Sequence, residues 1–284
     1  MPSAGLALAA LVALNLMWGG SLPATKLALD SFGPFTLAAL RLLIASVLFA
    51  LVLGPTALRA VPRADFVRMA ALGVVGFTGV QVFQALGAAR TSAATATVLA
   101  STGPLWIALL APTLLNERPR PLTVLGLVMA LAGVAAITGF DDTTLVGGVI
   151  LLLSSLSYAL YTVQGKKRAR DVSPLLLCGV SCIGGAVASL PLAVFELGRG
   201  VPEPTPLGWA LLAYLAVMVT FVGFAVWFWG LRALPAARAG ALIFLQPLSG
   251  LALAIVLLGD QVTPTFAVGC GLVLVGVYLA AGRA

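Results

Sequence analysis

The side chains in the apolar stretches of this chain that could do chemistry are amides, hydroxyls and indoles, and no Asp or Glu lies deep in any such stretch. Asn15, Trp18 and Thr25 fall near one face of the first apolar run, and Thr78, Gln81 and Gln84 follow one another at spacings of three in the third. Ser101 and Thr102 stand just before Pro104. Ser154, Ser157, Tyr158, Tyr161 and Gln164 recur at three- and four-residue intervals, Thr220 and Trp227 share a later run, and Gln246 precedes Pro247. Residues three or four apart share a helical face. On such faces amides and hydroxyls can hold the amino and carboxylate groups of a zwitterion, while Trp and Tyr bound an apolar side-chain pocket.

The same groups can also do no more than tie helices together, and for Ser and Thr that competing reading is the stronger one. It is weaker for Asn15, Gln81, Gln84 and Gln246, because a full side-chain amide is harder to satisfy by packing alone. Trp227 and Trp229 would equally suit an interfacial belt. The candidate substrate-binding set is therefore Asn15, Trp18, Thr78, Gln81, Gln84, Ser101, Tyr158, Tyr161, Trp227 and Gln246. Pro104 and Pro247 each free a carbonyl one turn earlier, which either faces a ligand or lets a kinked helix bend during gating.

Arg41 is the basic residue that lies well inside an apolar run, about eight positions into the second. Its expected fate is snorkelling to the nearer boundary or a structural pair, with an anionic ligand as the other reading. Histidine is absent, which excludes His-dependent metal sites, Ser-His-Asp triads and imidazole relays. No G-x-x-x-x-G-K-[ST] loop is present, so ATP has no P-loop. The reading assigns no catalytic residue, metal or cofactor. Cys178 and Cys182, four apart, and Cys270 lie in apolar runs and read as small core residues.

The elements that must position these groups follow from composition. The chain of 284 residues is 61% hydrophobic and 9% charged, whereas soluble domains average about 45–50% and about 25%. A formal charge of +7 could suggest nucleic acid, but the basic residues sit in short breaks between apolar runs and read as topology determinants. Apolar runs cover about 5–25, 33–54, 66–86, 91–115, 121–139, 144–164, 173–195, 207–230, 236–258 and 264–282. They are too long and too continuously apolar for barrel strands, so ten transmembrane helices are expected. The first run lacks a basic flank and is expected to be a retained helix rather than a cleaved signal. With the N-terminus inside, twelve Lys and Arg fall on the inner side and three on the outer. Both termini are therefore expected in the cytoplasm.

The chain also resembles itself. A shift of 140 pairs Trp18 with Tyr158, Lys26 with Lys166 and Pro34 with Pro174. A shift of 143 pairs Gly87 with Gly230, Pro104 with Pro247, Pro121 with Pro264, Gly126 with Gly269 and Gly133 with Gly276. Proline and glycine at fixed offsets are hard to obtain by accident. Repeats of five spans, an odd number, enter the membrane in opposite senses, and such inverted halves underlie alternating access. Residues 1–140 and 141–284 are the expected repeats.

The WGGS stretch of the first run, the segment SAATATVLASTGPLW, the loop LLNERPRP and GLVMALAGV, echoed by AARAGALIFLQPLSG, LLGDQVTP and GLVLVGV, resemble the EamA branch of the drug/metabolite transporter superfamily. Within that branch the chain is similar to bacterial exporters of amino acids, including aromatic ones. The resemblance implies an all-α integral membrane protein of the bacterial cytoplasmic (inner) membrane. It implies a basket of ten helices with a central cavity lined by spans 1, 3, 4, 6, 8 and 9, and spans 5 and 10 at the periphery. Where the second copy carries Asp260 for Glu117, and Tyr158–Tyr161 for WGGS, strict symmetry of the site is not expected. The function implied is export of a small molecule, most plainly an amino acid, by a monomer or homodimer in a lipid bilayer without nucleic acid. Competing readings are a transporter of another small neutral or drug-like metabolite and a membrane-embedded enzyme such as a lipid-modifying transferase. The enzyme reading is disfavoured by the lack of clustered His, Asp or Glu in the spans.

Overall fold

A computed structural model describes residues 4–103, 142–168, 172–200, 202–233 and 242–281, together with isolated positions between 105 and 136. Pro104, Glu117, Pro121 and most of the expected fifth span lie outside the described residues, as does the side chain of Pro247. Among the described residues every regular element is helical. Six helical stretches are long and apolar enough to cross a membrane: Gly5–Ala28, Pro34–Arg59, Arg63–Ala88, Thr144–Gly165, Pro174–Leu197 and Pro206–Trp227. Each overlaps an expected span. Two shorter apolar helices, Ser249–Leu258 and Pro264–Gly276, fall within the ninth and tenth.

The first stretch is broken into α1 (Ala4–Gly19) and α2 (Ser21–Ala28). Pro23 has no N–H for the Gly19 carbonyl, and its ring crowds that carbonyl, so the chain tightens to a Gly20 N–H to Met17 carbonyl bond of 3.1 Å. Helix α3 (Pro34–Arg59) begins with proline at its first turn and turns sharply at Gly54, whose φ of 74° precedes Pro55. The third stretch is α4 (Arg63–Gly73), a π-helical segment π1 (Val74–Gly79) and α5 (Val80–Ala88). After α6 (Ala93–Ala100) come α7 (Asp142–Arg168), α8 (Pro174–Leu197), α9 (Pro206–Ala213), a second π segment π2 (Tyr214–Val222) and α10 (Gly223–Ala233). Helices α11 (Leu245–Leu258) and α12 (Pro264–Ala281) complete the described chain. The offset of 143 that aligns Gly87 with Gly230 carries residues 74–79 onto 217–222, so π1 and the end of π2 occupy corresponding places.

Small residues let the helices approach closely. A side chain on Gly73 would collide with the Ser181 carbonyl, and one on Gly184 with the backbone of Ala70, so α4 and α8 meet backbone to backbone. Gly19 and Gly250 do the same for α1 and α11. Aromatic rings fill the centre: Phe77 lies 4.9 Å from Phe224 and 5.2 Å from Tyr161, and Trp18 lies 5.6 Å from Trp227. The three cysteines are free and buried, as their surroundings in the sequence suggest. On the periphery large apolar side chains are widely exposed, Leu51 at 73% and Val256 at 78% among them. That outer surface suits lipid, where apolar exposure carries no penalty.

The end of the bundle that carries the α2–α3 turn is stitched by charged side chains acting on helix ends. Glu196, at the end of α8, accepts hydrogen bonds from the Phe35 and Thr36 N–H groups at 3.2 and 2.6 Å, capping α3. Asp260 accepts from the Ala94 N–H at 2.7 Å, capping α6. A carboxylate at a helix N-terminus meets unpaired N–H groups and the positive end of the dipole. Lys26 does the converse, donating to the Ala88 and Thr91 carbonyls at 2.8 Å each. Ser31 and Thr205 share a further hydrogen bond of 2.8 Å across the same end.

Candidate functional site

The break in the first span and the π segment of π2 are built against each other. The Trp18 indole Nε1–H donates to the Val219 carbonyl at 2.8 Å, and the Tyr214 hydroxyl donates to the Met17 carbonyl at 2.7 Å. Both carbonyls lie where the regular ladder of the α-helix is disturbed, which leaves backbone acceptors within reach of side chains. Thr220, also in π2, donates to the Leu215 carbonyl at 2.9 Å and accepts from Arg41 Nε at 2.8 Å.

Beside this junction lies a cavity of about 90 Å³. Its polar lining includes Arg41, Gln81, Gln84, Ser101, Ser154 and Gln246, and its apolar lining includes Trp18, Leu22, Tyr158, Phe224 and Ile243. The described lining comes from α1, α2, α3, α5, α6, α7, π2, α10, the Leu242–Phe244 turn and α11. All six spans implied by the resemblance contribute, and the second span adds Arg41. The volume is roughly three times a water molecule's share of liquid and well under the ~300 Å³ at the lower end of ligand pockets. In this structure the cavity is thus smaller than such pockets.

Of the ten residues singled out in the sequence, Trp18, Gln81, Gln84, Ser101, Tyr158 and Gln246 line this cavity. The other four stand behind the lining. Asn15 is fully buried, donates to the Leu11 carbonyl at 2.7 Å and accepts from Gln246 Nε2 at 2.8 Å, so it fixes the Gln246 amide. Thr78 donates to the Gly185 carbonyl at 2.6 Å and ties π1 to α8. Tyr161 packs against Phe77 and donates to Cys178 Sγ at 3.8 Å. Trp227 backs Trp18. Ser101 and Ser154 send their hydroxyl hydrogens to the Thr97 and Val80 carbonyls, at 2.7 and 3.0 Å, in keeping with the helix-tying role of small polar residues. Among the described residues, the side chains of Gln81 and Gln84 have no hydrogen-bond partner, and both line the cavity.

Of the two structural fates expected for Arg41, snorkelling or a structural pair, the structure shows a partner, Thr220. Arg41 is only 4% exposed, turned inward between α3 and π2, and among the described residues its one hydrogen bond is the Nε–H donation to Thr220. Both residues are visible in the sequence, but nothing local in an apolar helix shows which way a long side chain turns. Among the described residues the ion pairs are those of Asp65 with Arg68 and Arg168, remote in sequence from this site. No group of three or more metal-ligating side chains occurs among the described residues.

The model of the EamA-like transporter family matches residues 4–139 and again 145–282. The chain belongs to the EamA-like transporter family. An uncharacterized transporter of Archaeoglobus fulgidus is 27% identical over 92% of this chain and 94% of its own length. The Bacillus subtilis transporter YdeK is 30% identical over 87% of each. A probable terminal-alkyne amino-acid exporter of Streptantibioticus cattleyicolor is 28% identical over 95% of this chain and 91% of its own. A protein of known crystal structure, 23% identical, shares the fold with a TM-score of 0.68 over 99% of this chain and 98% of its own. As an EamA-like protein the chain is an integral membrane transporter of a small molecule, and the central cavity is the place in its fold where amides, a guanidinium and aromatic faces converge.

Proposed function

We propose that this EamA-like protein is a secondary transporter that exports amino acids, including aromatic ones, by alternating access to the central cavity. The observation that carries the reading is the composition of that cavity: uncommitted amides at Gln81 and Gln84 beside the rings of Trp18, Tyr158 and Phe224. A zwitterion needs hydrogen-bond partners for two polar groups and an apolar surface for its side chain, and the lining offers both. The relative named as a probable amino-acid exporter supports the same substrate class.

Ten spans in two inverted five-helix repeats, residues 1–140 and 141–284, are the architecture this function uses. The double family match and the paired π segments support it. The excess of Lys and Arg in alternate loops favours cytoplasmic termini and insertion in the cytoplasmic membrane. In that orientation the end stitched by Glu196, Asp260 and Lys26 faces outward. Pro104 and Pro247 are the proposed flexing points of the paired spans.

Reconstitution of the pure protein in liposomes tests the reading with a panel of labelled amino acids, with and without a pH gradient. Uptake well above that of empty liposomes for at least one amino acid is expected. Flux equal to the empty control across the whole panel would contradict it.

A further inference from the structure

Arg41 is a cation enclosed by a membrane protein with most of its bonding capacity unused. A guanidinium carries five N–H donors. In this structure Nε–H is taken by Thr220 at 2.8 Å, while the two Nη groups make no hydrogen bond among the described residues and the residue lines the cavity. No carboxylate is paired with it: the described ion pairs all involve Asp65. Among the described residues every acidic residue lies in a loop or at a helix end. An ionised side chain inside a membrane needs a partner or water, and one left facing a cavity with no described protein anion beside it is a functional feature by default.

Thr220 does more than satisfy Nε. Its hydroxyl is oriented by donation to the Leu215 carbonyl at 2.9 Å, so its lone pair is directed at Arg41. The Nε–H bond fixes the plane of the guanidinium and leaves the Nη edge as a preformed fork, the geometry that accepts two oxygens of one planar anion. Around it the described lining carries neutral amides and no second basic side chain, which suits one negative charge rather than two.

We infer that Arg41 is the carboxylate subsite of the central cavity, oriented by Thr220, and that the protein selects small monoanionic or zwitterionic carboxylates over the corresponding amines. The inference rests on the reading of the cavity as the substrate site, and it narrows that reading from amino acids in general to the one substrate group that must be present. The amino group and side chain fall to Gln81, Gln84, Gln246 and the aromatic wall, where neutral partners leave selectivity looser.

Ligand-induced thermal stabilisation of the detergent-solubilised full chain separates this inference from transport. The probes are an aromatic amino acid, its N-acetyl derivative, its methyl ester and its decarboxylated amine, with inorganic phosphate as an anion of different shape. Expected is stabilisation by the amino acid and the N-acetyl derivative, with the amine and ester requiring at least about tenfold higher concentrations. Arg41→Met should weaken carboxylate binding about ten- to a hundredfold, the loss of a charge-assisted pair. Arg41→Lys should recover part of the affinity, and Thr220→Val should weaken binding less than Arg41→Met does. If the amine or ester stabilises the wild type as well as the acid, if no carboxylate binds at all, or if phosphate alone binds, the inference is overturned without recourse to any variant. A folded Arg41→Met protein with unchanged carboxylate affinity overturns it too. Carboxylate binding that depends on Arg41 in a protein that moves no amino acid would leave Arg41 assigned and sink the export reading instead.

Discussion

Trp18 forms one wall of the cavity because its indole has a fixed bond to make. The Val219 carbonyl that accepts it sits in π2, and Trp227 and Phe224 hold the ring from behind. Trp18→Phe keeps an aromatic wall but leaves that carbonyl unpaired in a dry interior, so destabilisation by about 1–3 kcal/mol is expected. The check is a lowered unfolding temperature in detergent compared with wild type. Gly223→Ala reaches the same junction from the other side, since a methyl there would strike Trp18 Nε1. It should displace the indole, and quenching or shift of the tryptophan fluorescence measures that; an unchanged spectrum and stability would contradict the geometry.

Much of the site was readable at this scale. Six of the ten candidate residues line the cavity because large polar groups in an apolar helix must face something polar, and amides at three-residue spacing point one way. Asn15 and Gln246 show the limit of that logic: both are amides, yet one is spent on holding the other. Periodicity gives the face of a helix and not the partner across it. Arg41 was visible as an anomaly, but its inward turn depends on Thr220, 179 residues away.

At the scale of elements, glycine carries the packing of α4 against α8. Gly184 meets the backbone of Ala70, and Gly73 meets that of Ser181, so no side chain can yield. Gly184→Leu is therefore expected to cost well over 3 kcal/mol and to abolish recovery of monodisperse protein, as size-exclusion chromatography would show. The end of the bundle stitched by Glu196 and Asp260 is a candidate latch. Its bonds join the first half to the second, so movement of the halves must break them. Asp260→Asn replaces a charge-assisted acceptor at a helix N-terminus by a neutral one. With Thr97→Cys as a reporter in the cavity lining, it should raise labelling by a membrane-impermeant thiol reagent from the outside several-fold. Equal labelling with and without Asp260→Asn would remove the latch from the account.

Hydropathy found the six long helices because bilayer thickness sets their length, but it was silent on their interruptions. The Gly19–Gly20 break and the π segments do not alter mean hydropathy, and so could not be seen in it. They matter because they supply the bent backbone on which Trp18, Tyr214 and Thr220 are arranged. Span 2 was placed outside the lining by resemblance, and its long arginine reaches past that boundary.

For the whole molecule, the account joins three things: a surface that is apolar where it meets lipid, a chain whose two parts each match the EamA-like model, and a cavity lined by amides, a guanidinium and aromatic rings from both parts. A cavity in a bundle stitched at one end fits the proposed alternating access, since a continuous pathway would dissipate any gradient. Counterflow tests this most directly. Proteoliposomes preloaded with a high concentration of an unlabelled amino acid are diluted into a trace of the same labelled compound. A carrier that exchanges one bound molecule at a time predicts transient accumulation of label inside, above its equilibrium level, that disappears when Arg41 is replaced by Met. Label that enters no faster than into protein-free liposomes, or that rises only to equilibrium whatever is loaded inside, would contradict the account.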